Sequence, residues 1–178
     1  MGLAAVQAAV ARLLVDAVLR KRFLEDPAGA AVELGVSVRE AAQIAHTRGL
    51  APFADSLIRK RLSSVRQLLP RSAEQIGARF DRMFCDYART EPSRGPRRHE
   101  RDALALAAIL EPDLEGDARR ALAIESGWLE AAAGKRLVVR RLRPGFAVWL
   151  RVGRGVRFWR AGARGDWTSP PPAARESE

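Results

Sequence analysis

The sequence predicts an α+β fold that is predominantly α, with an N-terminal helical bundle followed by a small C-terminal antiparallel β-sheet. Three observations carry this expectation. Apolar residues recur at three- and four-residue spacing through most of the chain. Helix-starting and helix-ending residues punctuate those runs. After Gly134 the pattern turns to alternation interrupted by Pro144-Gly145 and Gly153-Arg154-Gly155.

Taken in order, MGLAAVQAAVARLLVDAVLR reads as one amphipathic helix with Leu3, Val6, Val10, Leu13 and Ala17 on its apolar line. It lacks the basic start of a secretory signal, and Arg12 and Asp16 interrupt it. Asp26-Pro27 starts a short helix that Gly35 closes, because Asp accepts orphan N–H groups and Pro at the first helical position loses no bond. Ser37 and Glu40 form a capping box for a helix running to about Arg48. A long helix follows from about Pro52 to Leu69, with Leu57, Ile58, Leu62, Val65 and Leu69 inward. Ser72 with Gln75 repeats the capping pattern ahead of Ile76, Phe80, Met83, Phe84 and Tyr87. EPSRGPRR, from Glu91, reads as a surface connection. Helices resume at about 98–111 and 117–133, with Leu104, Ala107, Leu110, Leu122, Trp128 and Leu129 inward. The remainder predicts a three-stranded meander, with Phe146, Val148, Leu150 and Val152 on the packed face and arginines on the other. SPPPAARESE reads as a disordered tail. The resulting organisation is a helical partner-docking domain at 1–90, a linker at 91–97, helices plus a basic sheet at 98–164, and a tail at 165–178.

Charge divides the chain in the same place. The net charge is +10, yet residues 1–134 hold 20 basic residues against 18 acidic ones. Between Lys135 and Arg164 there are ten basic residues and no acid. The positive field therefore belongs to the C-terminal segment. Only Lys21, Lys60 and Lys135 are lysine, so the choice of arginine reflects a GC-rich coding bias in part. Its placement does not.

The inventory for chemistry within the chain is thin. One cysteine, Cys85, excludes an internal disulfide framework and a multi-Cys zinc site, and its neighbours Met83, Phe84 and Tyr87 make it a buried small hydrophobe by expectation. His46 and His99 each stand alone in sequence, His46 beside a helix end. No glycine-rich phosphate loop occurs. No run approaches the apolar length of a membrane span. A chain in the cytoplasm that is not an enzyme on its own is the expectation.

Three readings of the basic sheet follow from its residues. Arginines interleaved with Phe146, Trp149, Phe158 and Trp159 suit phosphates and bases of a nucleic acid. An ordinary solvated face, with Trp149 and Trp159 covering the junction to the helices, suits them equally. An open sheet edge beside arginines suits an extended acidic peptide.

The order of motifs adds a resemblance. LLVDAVLRKRFLEDPAGAAVELGVS, then LIRKRLSSVRQLLPRSAEQIGARFDRMFCDYA, a Pro/Gly linker, ALAIESGWLEAA and the terminal LVVRRLRPGF resemble partner proteins of multinuclear non-haem iron-dependent oxidases. Those proteins serve the biosynthesis of ribosomally made, post-translationally modified peptides, and the similarity runs to about Arg160. The resemblance implies a helical region that grips the oxidase and a C-terminal region that captures a cysteine-bearing precursor peptide. It places iron and catalysis in the other subunit, with no cofactor in this chain. FLEDPAGAAVELGVS alone also looks like the small helical subunit of aromatic-ring-opening dioxygenases, over the first third only.

On this reading Val138, Val139, Arg140, Arg141 and Leu142 form the strand bordering bound peptide, and Arg143, Arg151 and Arg157 meet its acidic side chains. Arg59, Lys60, Arg61 and Arg66 are the candidate oxidase interface, with a solvated helix face as the alternative.

Overall fold

The computed structural model describes residues 2–47, 49–92 and 95–162. The expected tail at 165–178, and Ser93 and Arg94 of the expected linker, lie outside the described residues. The order is α1 (Leu3–Val15), α2 (Ala17–Glu25), α3 (Pro27–Leu34), α4 (Val38–Ala45), α5 (Leu50–Leu68), α6 (Pro70–Ile76), α7 (Ala78–Thr90), α8 (Arg98–Leu110), a 3-10 turn (Glu111–Asp113) and α9 (Gly116–Ala132). Strands β1 (Leu137–Arg141), β2 (Phe146–Val152) and β3 (Gly155–Ala161) follow, so the predominantly helical α+β class is as expected.

The chain forms two compact units. One takes Met1–Ser64 with Arg82–Arg98, and the other takes Val65–Asp81 with the described residues from His99 onward. Residues 65–81 thus belong with the C-terminal unit, although the sequence reading placed them in the region 1–90.

In the first unit the opening helix is two helices. Asp16 is extended (φ −108°, ψ 103°), and its carboxylate accepts the Leu19 N–H at 2.8 Å as the N-cap of α2. Arg20 is only 9 % exposed and donates to the Leu13 carbonyl at 2.7 Å, satisfying a carbonyl that the break leaves without its helical partner. Leu13, Leu19, Phe23, Leu34, Val36 and Ile44 are buried together. Asp26 caps α3 through the Gly29 N–H at 2.9 Å, and Gly35 ends it at φ 68°, as expected from Asp-Pro and Gly.

The capping box of α4 is present. The Ser37 hydroxyl and backbone N–H donate to the Glu40 carboxylate at 2.6 and 2.8 Å, and both hold its pKa below the ordinary carboxylate value. The folded pKa then lies below the unfolded one, so the cap contributes stability above the unfolded value that is lost as pH falls through the folded value. The stability difference between the parent and Glu40→Gln is expected to shrink to nothing on acidification through that window, measured as melting temperature against pH. A difference independent of pH would deny the ionised cap.

In the second unit, α6 starts at Pro70 and not at Ser72. Ser72 is fully buried inside the helix, so its pairing with Gln75 is not a capping box. The N-terminus of α6 is closed instead by Glu125 of α9. Its carboxylate accepts the Arg71 N–H at 2.8 Å, the Ser72 N–H at 3.0 Å and the Ser72 hydroxyl. A carboxylate at a helix N-terminus is favoured by the dipole as well as by the bonds. Glu125→Ala leaves three donors without that acceptor and is expected to cost about 1–3 kcal/mol in urea unfolding. A cost within about 0.5 kcal/mol of zero would mean that solvent replaces the cap fully.

The sheet is an antiparallel meander in the order β1-β2-β3. Its tight connections fall at the two predicted turns: Leu142 N–H donates to the Gly145 carbonyl at 2.8 Å, and Gly153 adopts φ 60°. Gly145 has φ 96°, and a Cβ there would collide with the Ala161 carbonyl, so the turn requires glycine. Helix α9 packs under all three strands. At their junction Trp149 is fully buried, its ring centroid 5.1 Å from that of Phe158, and its indole lies against Gly127 of α9.

Candidate functional site

Burial along the strands inverts the expected faces. The face turned to α9 carries Val138, Leu142, Ala147, Trp149 and Phe158, all buried, with Arg140, Arg151 and Arg160 half-buried. The outer face carries Phe146, Val148, Leu150 and Val152, the residues expected to pack, together with Leu137 and Val139. Leu137, Val139, Phe146, Leu150 and Val152 are 58, 54, 44, 37 and 51 % exposed, with Val148 and Trp159 half-buried beside them. The physical reason lies in α9, where Ala123, Gly127 and Ala131 stand four residues apart along one side. A stripe of small residues leaves depth for an indole, and a Cβ on Gly127 would sit 2.7 Å from the Trp149 ring.

Two of the three inner-face arginines, Arg140 and Arg151, are spent on the protein itself. Arg140 donates to Glu130 Oε1 at 2.7 Å, and Lys135 pairs with Glu130 Oε2 at 3.1 Å. Arg151 donates to the Ala132 and Ala131 carbonyls at 3.0 and 3.4 Å, where a cation meets the last carbonyls of α9. Val138 and Leu142 are 4 and 5 % exposed. Of the eight residues assigned to peptide contact, Val138 and Leu142 turn their side chains into the core, and Arg140 and Arg151 tie the sheet to α9. Val139, Arg141, Arg143 and Arg157 are exposed.

The pairing also places the sheet's open edges. Arg151 N–H donates to the Arg136 carbonyl and Leu142 N–H to the Gly145 carbonyl, bracketing the β1-β2 ladder at both ends. With the register Val138 to Trp149 and Arg140 to Ala147, even-numbered β1 residues bond β2. Leu137, Val139 and Arg141 then turn their N–H and C=O groups to the edge that no described strand pairs. On the outer face the same register puts Arg141 and Arg157 at opposite corners of an apolar field.

The candidate oxidase-interface residues divide. Arg59 and Lys60 are exposed on α5. Arg61 instead donates to the Ala88 and Glu91 carbonyls at 3.2 and 3.1 Å, closing the end of α7, and lies 5.8 Å from the centroid of the Phe84 ring. Arg66 makes a two-pronged pair with Asp81 at 2.9 and 2.8 Å, which raises its pKa. Those two arginines do structural work.

His46 Nδ1 lies 2.7 Å from the Ala42 carbonyl at the end of α4, the helix-end role expected of it. Cys85 is half-buried, not enclosed, because its position on α7 lies beside the stripe of Phe80, Phe84 and Ala88. Among the described residues no three His, Cys, Asp or Glu side chains are grouped to hold a metal ion, and no helix is long and apolar enough to cross a membrane.

The molecule so defined is a helical protein with a basic, edge-exposed sheet. A family model described as SCO6045-like, C-terminal domain, matches residues 46–112, which run from the end of α4 through α8 and stop short of α9 and the sheet. No curated protein and no solved structure matches the chain.

Proposed function

We propose that the chain is a non-catalytic, cytoplasmic partner subunit that binds a precursor peptide and presents it to a multinuclear iron-dependent oxidase for modification at or near a cysteine. The observation that supports this reading most is the β1 edge, where the backbone groups of Leu137, Val139 and Arg141 meet no strand among the described residues. An extended peptide completes such an edge by main-chain hydrogen bonds, and alternate side chains supply selectivity. The apolar outer face beside it takes the peptide's apolar residues, and Arg141, Arg143 and Arg157 take its acidic ones. Iron and its chemistry reside in the oxidase on this reading. Arg59 and Lys60 remain as its docking candidates.

The same geometry weakens the nucleic-acid reading. A phosphate platform needs cations spread across one face. Here Lys135, Arg140 and Arg151 engage Glu130 and α9, and exposed aliphatic side chains separate Arg141 from Arg157. Nuclease-treated affinity purification from native cells, with partners identified by mass spectrometry, tests the proposal. Recovery of an iron-containing oxidase with a small cysteine-bearing peptide is the expected result. Recovery of nothing after nuclease, and of nucleic acid before it, would overturn it.

A further inference from the structure

At the end of β1, where the strand runs into its turn, the sheet and the start of α9 border an open cleft of about 330 Å³. Four of its eight lining residues are arginine: Arg119, Arg120, Arg141 and Arg143. Glu115 is the only acid among them. Arg120 is already committed. Its Nη1 lies 3.4 Å from Asp117, and its Nη2 donates to the Arg143 carbonyl at 2.9 Å, which pins the β1-β2 turn to the helix. Arg119, Arg141 and Arg143 show no hydrogen bond or ion pair to a side chain among the described residues. Like charges gathered in one concave site repel one another, and an anion seated among them relieves that repulsion. Among the described residues no side-chain hydrogen bond caps α9, whose first residue, Gly116, also lines the cleft.

We infer that this cleft binds neighbouring carboxylate side chains of an acidic peptide, at the point where a strand added to β1 reaches the end of the sheet. The inference rests on the peptide-binding reading and extends it. Arg141 supplies both the last open backbone groups of the β1 edge and part of the cleft wall, so a peptide following that edge arrives at the arginines. Guanidinium groups match carboxylates in a forked geometry, and several of them accommodate two adjacent acids. The precursor is therefore expected to carry a pair of Asp or Glu residues beside its β-forming segment.

The test uses the full chain and three probes, tetraglutamate, tetraglutamine and inorganic phosphate, followed by backbone amide NMR and calorimetry at low ionic strength. Tetraglutamate is expected to give saturable shifts at Gly116, Arg119 and Arg143, and tetraglutamine none. Arg119→Gln with Arg143→Gln should weaken tetraglutamate about tenfold or more. Arg154→Gln, in the β2-β3 turn outside the cleft, should leave it unchanged, and circular dichroism should show both variants folded. Shifts scattered over all arginines, or equal loss in the Arg154 variant, would overturn the cleft. Saturation by phosphate with none by tetraglutamate would overturn the carboxylate assignment. The two readings fail separately. A peptide that still co-purifies with the Arg119/Arg143 variant at parent yield removes the cleft and leaves peptide capture standing. Tetraglutamate bound at the cleft of a protein that recovers no peptide keeps the anion site and removes the partner-subunit reading.

Discussion

Trp149→Ala is expected to cost the C-terminal unit about 3–5 kcal/mol, the range for deleting a large buried aromatic. Trp149 is 0 % exposed and touches both Phe158 on the neighbouring strand and Gly127 on α9. Its removal empties the seam that joins sheet to helix. Set against a domain stability of about 5–15 kcal/mol, that loss leaves the unit marginal. Trp149→Phe should cost less, for two reasons. It keeps most of the ring, and it removes a buried indole N–H that has no hydrogen-bond partner among the described residues. Gly127→Ala should fail in the opposite sense, by overpacking, at about 1–3 kcal/mol. Urea unfolding followed by circular dichroism measures all three. A Trp149→Ala cost below about 1 kcal/mol would contradict a packed junction between α9 and the inner face of the sheet.

The second large effect concerns recognition. Arg141→Glu with Arg157→Glu is expected to weaken capture of the co-purifying peptide about a hundredfold, with the far-ultraviolet spectrum unchanged. Both residues are exposed on the outer face, so reversing them alters the field that a peptide meets and leaves the core alone. Pairing Arg140→Glu with Arg141→Glu would confound recognition with folding. Arg140 lies 2.7 Å from Glu130, and a glutamate there would set two carboxylates against each other and loosen β1 from α9. Peptide affinity unaltered by the Arg141/Arg157 reversal in calorimetry would remove the outer face from the binding surface.

Local chemistry made much of this fold legible. Asp26-Pro27, Gly35, the Ser37–Glu40 box and the two turns of the meander each act within a few residues, and each was found where the sequence placed it. Long-range choices were not legible in the same way. Alternation along β2 offers two faces, Phe146-Val148-Leu150-Val152 and Ala147-Trp149-Arg151, and the first has more apolar residues. Which one is buried depends on a partner surface some twenty residues earlier in the chain, the small-residue side of α9. Tertiary fit overrides strand composition there. Ser72 misled for a related reason. It has the right residue type for a cap, but Pro70 had already opened the helix and the acceptor came from Glu125. Of the assigned site, the exposed residues Val139, Arg141, Arg143 and Arg157 stay available, and the cleft that adds Arg119 depended on bringing α9 to the β1-β2 turn.

The bond from Glu125 back to Arg71 and Ser72 has a consequence for how the protein is made. A ribosome releases α6 long before α9, so the nascent segment 65–81 must wait with its first N–H groups unanswered until α9 and then the strands emerge. Cutting the gene at the Pro/Gly stretch near residue 94 would make that wait permanent. The upstream fragment would keep α6 without its acceptor, and the downstream fragment would keep the acceptor with nothing to hold. The two halves are better studied by labelling the intact chain than by expressing it in pieces.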